Sequence, residues 1–183
     1  MVNGRPVRAR MFWGAPGAGP VRVAATAAEY RFDFSPPEDE PARATMHFRF
    51  GPTPGEVWLD DLRVVDLTTG QPVFPTDDWE SADSLARSWN IWPPGAKNTV
   101  GQVRIAPGQG RGGSAALHAA IKSPADGNWP DFHLYRHATL ALRKGHNYRV
   151  TFWARAEPAR DLTIAFYRPG QPYVFLGGPP SPF

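Results

Sequence analysis

Two aromatic-rich segments carry the side chains best suited to recognition chemistry, Trp89-Asn90-Ile91-Trp92-Pro93-Pro94 and Asn128-Trp129-Pro130-Asp131-Phe132-His133-Leu134-Tyr135-Arg136. Each sets large flat rings beside polar groups, outside any long apolar run. A sugar ring offers apolar C–H faces that stack on indole or phenol, while its hydroxyls bond amides, carboxylates and arginine. Trp89, Trp92, Trp129 and Tyr135 are the candidate stacking surfaces, and Asp131, His133 and Arg136 the candidate polar contacts. The competing reading is that a tryptophan in a β-rich chain plugs the core, and Trp58 and Trp153 are assigned that role.

Catalytic constellations are thin. His118, His133, His137 and His146 never take an H-E-x-x-H spacing, and Ser114 lacks the G-x-S-x-G elbow of a hydrolase. The carboxylate pairs Asp60-Asp61 and Asp77-Asp78 are adjacent in sequence. Neighbours on a strand point to opposite faces, so neither pair alone supplies two convergent carboxyls for glycosidic chemistry. No catalytic residue is assigned. Gly108-Gln109-Gly110-Arg111-Gly112-Gly113 spells G-x-G-x-x-G, but the segment after it is short and ends at Pro124. No strand–helix alternation follows, so a glycine-rich hairpin is expected there in place of a dinucleotide site.

The elements that must position these residues are short strands. The 183 residues include 21 prolines and 18 glycines, punctuation too frequent for long helices, while 42% hydrophobic and 13% aromatic residues suffice for a core. Apolar and polar residues alternate in Thr45-Met46-His47-Phe48-Arg49-Phe50 and in Tyr148-Arg149-Val150-Thr151-Phe152-Trp153, as in strands with one face on a core. Strands are predicted over 7–13, 21–25, 29–34, 44–50, 57–66, 99–106, 115–121, 132–135, 148–156, 162–167 and 173–176; the short polar segment at 81–89 is either a helix or one turn and a loop. The expected fold is all-β, an antiparallel β-sandwich or jelly roll. Cysteine is absent, which excludes disulfides and Cys-based metal sites. The net charge of +3 is scattered, with no Lys/Arg cluster, and no apolar run approaches twenty residues. Neither nucleic acid nor a membrane is therefore an expected partner. Localisation stays open: extracellular or periplasmic if a longer chain carries a leader peptide.

Residues 9–17 lie against 163–170 as a weak repeat, an apolar–aromatic strand running into a Pro-Gly turn in each. Gly55-Glu56-Val57-Trp58-Leu59-Asp60-Asp61-Leu62-Arg63-Val64-Val65-Asp66-Leu67 resembles the closing strand of jelly-roll carbohydrate-binding modules of xylanases and related glycoside hydrolases. Asp77-Asp78-Trp79-Glu80-Ser81, Gly112-Gly113-Ser114-Ala115-Ala116-Leu117-His118 and the run from Leu142 to Ala156 resemble the opening, second and central strands of the same family. The closing half thus precedes the opening half. The resemblance implies a junction of two tandem modules in a β-galactosidase- or agarase-like hydrolase: residues 1–70 finish one module and 74–183 begin the next, the two being able to pack as one permuted sandwich. It also implies polysaccharide recognition without turnover, next to a glycoside hydrolase catalytic domain, or a spacer that supports such a domain without a ligand. A structural calcium comes with it, at Asp60, Glu80 and Ser114, whose hard oxygens suit that ion.

Overall fold

The computed structural model describes residues 19–51, 53–94, 101–122, 132–137, 139–170 and 172–180. They form an all-β sandwich of two antiparallel sheets. Seven strands make the first sheet: β1 (Pro20–Val23), β3 (Glu40–Arg49), β6 (Trp89–Trp92), β9 (His133–Arg136), β10 (Leu140–Leu142), β12 (Arg160–Arg168) and β13 (Val174–Gly177). Its order is β1-β12-β3-β9-β6, with β10 on β3 and β13 on β12. The second sheet runs β2-β11-β4-β8-β7, with β5 on β4. These are β2 (Ala28–Phe34), β4 (Gly55–Asp66), β5 (Gln71–Pro72), β7 (Gly101–Ala106), β8 (Ala116–Ile121) and β11 (Tyr148–Glu157). Strands from early and late in the chain interleave in both sheets. β4 lies between β8 and β11, and β3 between β12 and β9. The strand predicted over 7–13, with the first copy of the repeat, lies outside the described residues.

Period 2 explains which face of each strand is buried. In β11, Tyr148, Val150, Phe152, Ala154 and Ala156 point to the core, and the residues between them are half-buried on the other side. Phe34 stacks on Phe166 at 4.5 Å and on Tyr148 at 5.4 Å, joining the sheets at one end. Gly177 has φ +158, and a Cβ there would stand 2.0 Å from Phe34 Cδ2, so the close approach requires glycine. The buried Arg160 donates to the carbonyls of Phe50, Thr53 and Pro54 and ties down the turn from β3 to β4.

One break in the period shapes the second sheet. Val57 and Leu59 face the core, yet so do Leu62 and Val64, a change of parity that a regular strand cannot make. The change is a β-bulge. The register of β4 on β11 shifts between Thr151 and Trp153, and Asp61 takes φ 51 with its N–H held by its neighbour's Asp60 Oδ1 at 2.7 Å. The helical segment is α1 (Ala82–Ser88), capped by the Ser81 hydroxyl, which accepts from Ser84 N. The glycine-rich segment is the turn of the β7–β8 hairpin, as expected, with Gly110 N donating to Ser114 O.

Candidate functional site

The register of β9 splits the aromatic residues into two groups. Trp92 pairs with His133 and Asn90 with Tyr135, so these four project from the outer face of the seven-stranded sheet. His133 and Tyr135 in turn pair with Arg49 and His47 of β3, and Ala165 and Tyr167 continue the face on β12. The result is a run of rings across five strands. Trp92 lies 6.5 Å from His133, and His133 lies 5.3 Å from His47. His47 stacks on Tyr135 at 5.5 Å and 17° and meets the edge of Tyr167 at 5.2 Å. Tyr167 then packs against Phe175 at 6.0 Å.

Trp89 and Arg136 lie on the other side of the same strands. Trp89 is buried between Phe48 and Trp79, and its indole N–H donates to Asp77 Oδ2 at 3.2 Å. Arg136 pairs with the same carboxylate oxygen, and its guanidinium sits 3.8 Å over the Phe74 ring. Burial raises the Asp77 carboxyl and lowers Arg136, each opposed by the charge of the other. These two residues close one end of the core, away from the outer face that carries Trp92 and Tyr135. Trp129 and Asp131 lie outside the described residues.

On the aromatic face, Thr45 Oγ1 donates to Tyr167 O at 3.2 Å and lies 2.9 Å from His47 Nε2. A hydroxyl that spends its proton on a carbonyl accepts from the imidazole, so Nε2 carries the hydrogen and Nδ1 is a bare acceptor. Burial above all, with the nearby His133 and Arg49, lowers His47 to about 3. His47 is therefore neutral, and among the described residues its buried Nδ1 has no hydrogen-bond partner, nor has the buried Trp92 Nε1. One unpaired acceptor and one unpaired donor thus lie on a single aromatic surface.

Asp60, Glu80 and Ser114 meet around the β7–β8 turn. Asp60 Oδ2 accepts from Ser114 Oγ at 2.8 Å and Arg111 N at 2.9 Å, and Glu80 Oε2 accepts from Ala115 N at 3.3 Å. Burial raises the Asp60 carboxyl, against these hydrogen bonds. A Cβ at Gly110 would meet Ala115 O, Ser114 Oγ and Asp60 Oδ2 within 2.1–2.5 Å, so this turn closes only with glycine. The donors are all oxygen, the right chemistry for calcium. Yet both oxygens of Asp60 already take protein donors, and no three His, Cys, Asp or Glu side chains converge among the described residues. As placed, these groups are a hydrogen-bonded clasp and not a cation cage.

Trp58 and Trp153 correct the core assignment. Both project from the outer face of the six-stranded sheet, on the side opposite Val57, Leu59 and Phe152, because each sits at the outward parity of its strand. Trp58 is buried there by its neighbours His118 and Arg155 and not by the core. His47 and Tyr167 are site residues that the sequence reading did not single out. Their signal was present in the alternation of Thr45, His47 and Arg49 with the core residues Met46, Phe48 and Phe50. Compared with protein-family models, with curated proteins and with solved structures, the chain matches none.

Proposed function

We propose that the chain is a non-catalytic carbohydrate-binding sandwich whose ligand surface is the outer face of the seven-stranded sheet. The observation that carries the reading is the pairing of a continuous ring surface with an unpaired Trp92 N–H and an unpaired His47 Nδ1. A sugar hydroxyl both donates and accepts, so it satisfies either group, while the C–H face of the same ring covers the aromatics. Trp92 and Tyr135 provide stacking area; His133 and Asn90 border it. Two features of the sequence support the rest of the reading, namely the closing-strand run at 55–67 and the central-strand run at 142–156. On that resemblance the partner is a polysaccharide, and the neighbouring domain is a glycoside hydrolase.

The test is affinity electrophoresis and calorimetry against soluble neutral polysaccharides: xylan, mixed-linkage β-glucan and galactan. Retention by at least one is expected. Trp92→Ala and Tyr135→Ala are each expected to weaken it by about 5- to 100-fold, equal to roughly 1–3 kcal/mol for an aromatic contact. If none is retained, or if both variants bind as well as the parent, the face holds no glycan and the spacer reading replaces this one.

A further inference from the structure

The outer face of the other sheet carries a row of four side chains in strict cross-strand register. Arg155 of β11 pairs with Trp58 of β4, Trp58 with His118 of β8, and His118 with Arg104 of β7. The side chains follow the backbone pairing. The Arg155 guanidinium lies 3.4 Å over the Trp58 indole, whose ring stacks on His118 at 4.7 Å and 12°, and Arg104 Nε donates to His118 Nδ1 at 3.1 Å. Small residues border the row, with Ala120 on one side and Ala116 and Ala106 on the other. A cavity of about 320 Å³ opens beside it, lined by Trp58, His118, Arg104, Glu56, Pro107 and Gln109.

Three of the polar side chains lining this cavity, Trp58, Arg104 and His118, present donors, beside the Glu56 carboxylate and the Gln109 amide. Arginine never accepts, so the bond from Arg104 leaves His118 with its hydrogen on Nε2. That N–H is buried and, among the described residues, has only the long 3.4 Å approach of Glu56 Oε2. The buried Trp58 Nε1–H has no partner among the described residues. Arg104 keeps its terminal fork, and among the described residues no carboxylate pairs with it or with Arg155, whose Nη2 goes to Gln109 Oε1 at 2.7 Å. Elsewhere arginines find acids, as Arg149 does with Asp33 and Arg168 with Glu38 and Glu40. Burial first, then Arg104 and Arg155, hold His118 below its ordinary range against the pull of Glu56. The cavity therefore offers two buried N–H groups and a free guanidinium fork against one carboxylate.

We propose that this cavity is a second binding site and that it takes an oxyanion, a carboxylate or sulfate group, either free or borne on a sugar. Such a group accepts from the Arg104 fork in the bidentate manner and supplies the acceptor that Trp58 and His118 lack, displacing Glu56 from His118. The inference stands apart from the carbohydrate reading, because it concerns the opposite sheet and a different ligand chemistry.

The experiment follows the Trp58 indole N–H in ¹⁵N–¹H correlation spectra, assigned by its absence in Trp58→Phe. Sodium sulfate, sodium glucuronate and glucose are titrated at constant ionic strength, with sodium chloride as the reference. A saturable shift of the Trp58 resonance with sulfate or glucuronate, and none with glucose, is expected. Tighter binding of glucuronate than of sulfate identifies a sugar-borne group as the ligand, and the reverse a free anion. Arg104→Met is expected to weaken binding at least tenfold with an unchanged melting temperature, and Trp92→Ala to leave it unaltered. A shift that never saturates, that chloride reproduces, or that survives Arg104→Met at full affinity overturns the proposal. Because Trp92→Ala tests the neutral-glycan face alone, the two readings fail separately.

Discussion

The two outer faces of the sandwich are built by the same rule and end in opposite chemistry. Each collects residues of alternate parity from neighbouring strands, and each stacks imidazole on a larger ring. On the seven-stranded face, His47 gives its hydrogen to Thr45 and keeps Nδ1 as an acceptor, beside the unpaired donor of Trp92. On the six-stranded face, His118 takes its hydrogen bond from Arg104 and keeps Nε2–H as a donor, beside the unpaired donor of Trp58. One surface is matched to groups that donate and accept, the other to groups that only accept. The hydrogen bond on the histidine's other nitrogen decides which, to a threonine two residues away on the same strand in one case and from a cross-strand arginine in the other.

Both faces are lost together when the scaffold they share fails. Arg136→Ala leaves the buried Asp77 carboxylate uncompensated and is expected to cost about 3–5 kcal/mol in urea unfolding, abolishing both surfaces together. A loss below about 1 kcal/mol would show that this ion pair does not hold the end of the core.

The next effect belongs to one face. His47 has a folded value of about 3 against an ordinary 6.5, so the unfolded chain takes up a proton that the folded one refuses. Its stabilising effect is complete above pH 6.5 and declines as pH falls toward 3, by about 1.4 kcal/mol per pH unit, or roughly 2 kcal/mol at pH 5. His47→Gln is expected to flatten the difference in urea midpoint between pH 7 and pH 5. An equal slope in parent and variant would place the imidazole in water.

Changes at the clasp and the rim have the smallest effects. Chelation with EDTA is expected to move the melting temperature by less than about 1 °C, since Asp60 is already satisfied by protein donors; a rise of several degrees on adding calcium would mean that the ion displaces them. Arg22→Ala removes an exposed pair with Asp161 and is expected to cost at most about 0.5 kcal/mol by the same urea assay.

The sandwich was legible because its long strands alternate cleanly: β11 and β12 appear at nearly their predicted bounds. The short segment at 81–89 is ambiguous between a helix and a turn in sequence, and the Ser81 cap on Ser84 N settles it as a helix. The four-residue β6 and three-residue β10 were too short to carry a period, and missing β6 had a consequence. Without a strand at Trp89–Trp92 there is no parity to apply, and the sequence alone presents Trp89 and Trp92 as one group although they face opposite ways. Trp58 failed for a different reason. It sits between Val57 and Leu59 in a run where apolar residues occupy both faces, and only its partners Arg155 and His118 show that its side is the outer one. The bulge at Asp61 was visible in outline, since Val57, Leu59, Leu62 and Val64 cannot all share one face of a regular strand.

The interleaving of early and late strands also governs how the chain reaches this structure. β2 and β4 bond along their length to β11, and β3 to β12, so Phe34 waits for Tyr148 and Phe48 for Ile164. During synthesis the ribosome releases four strands with apolar faces and open edges well before the residues that cover them. Loops of about a hundred residues must then close before most native pairings form, and topologies of that kind fold in milliseconds to seconds, not microseconds. Throughout that interval the apolar faces and open edges of β1 to β4 stay uncovered, the condition under which chains aggregate.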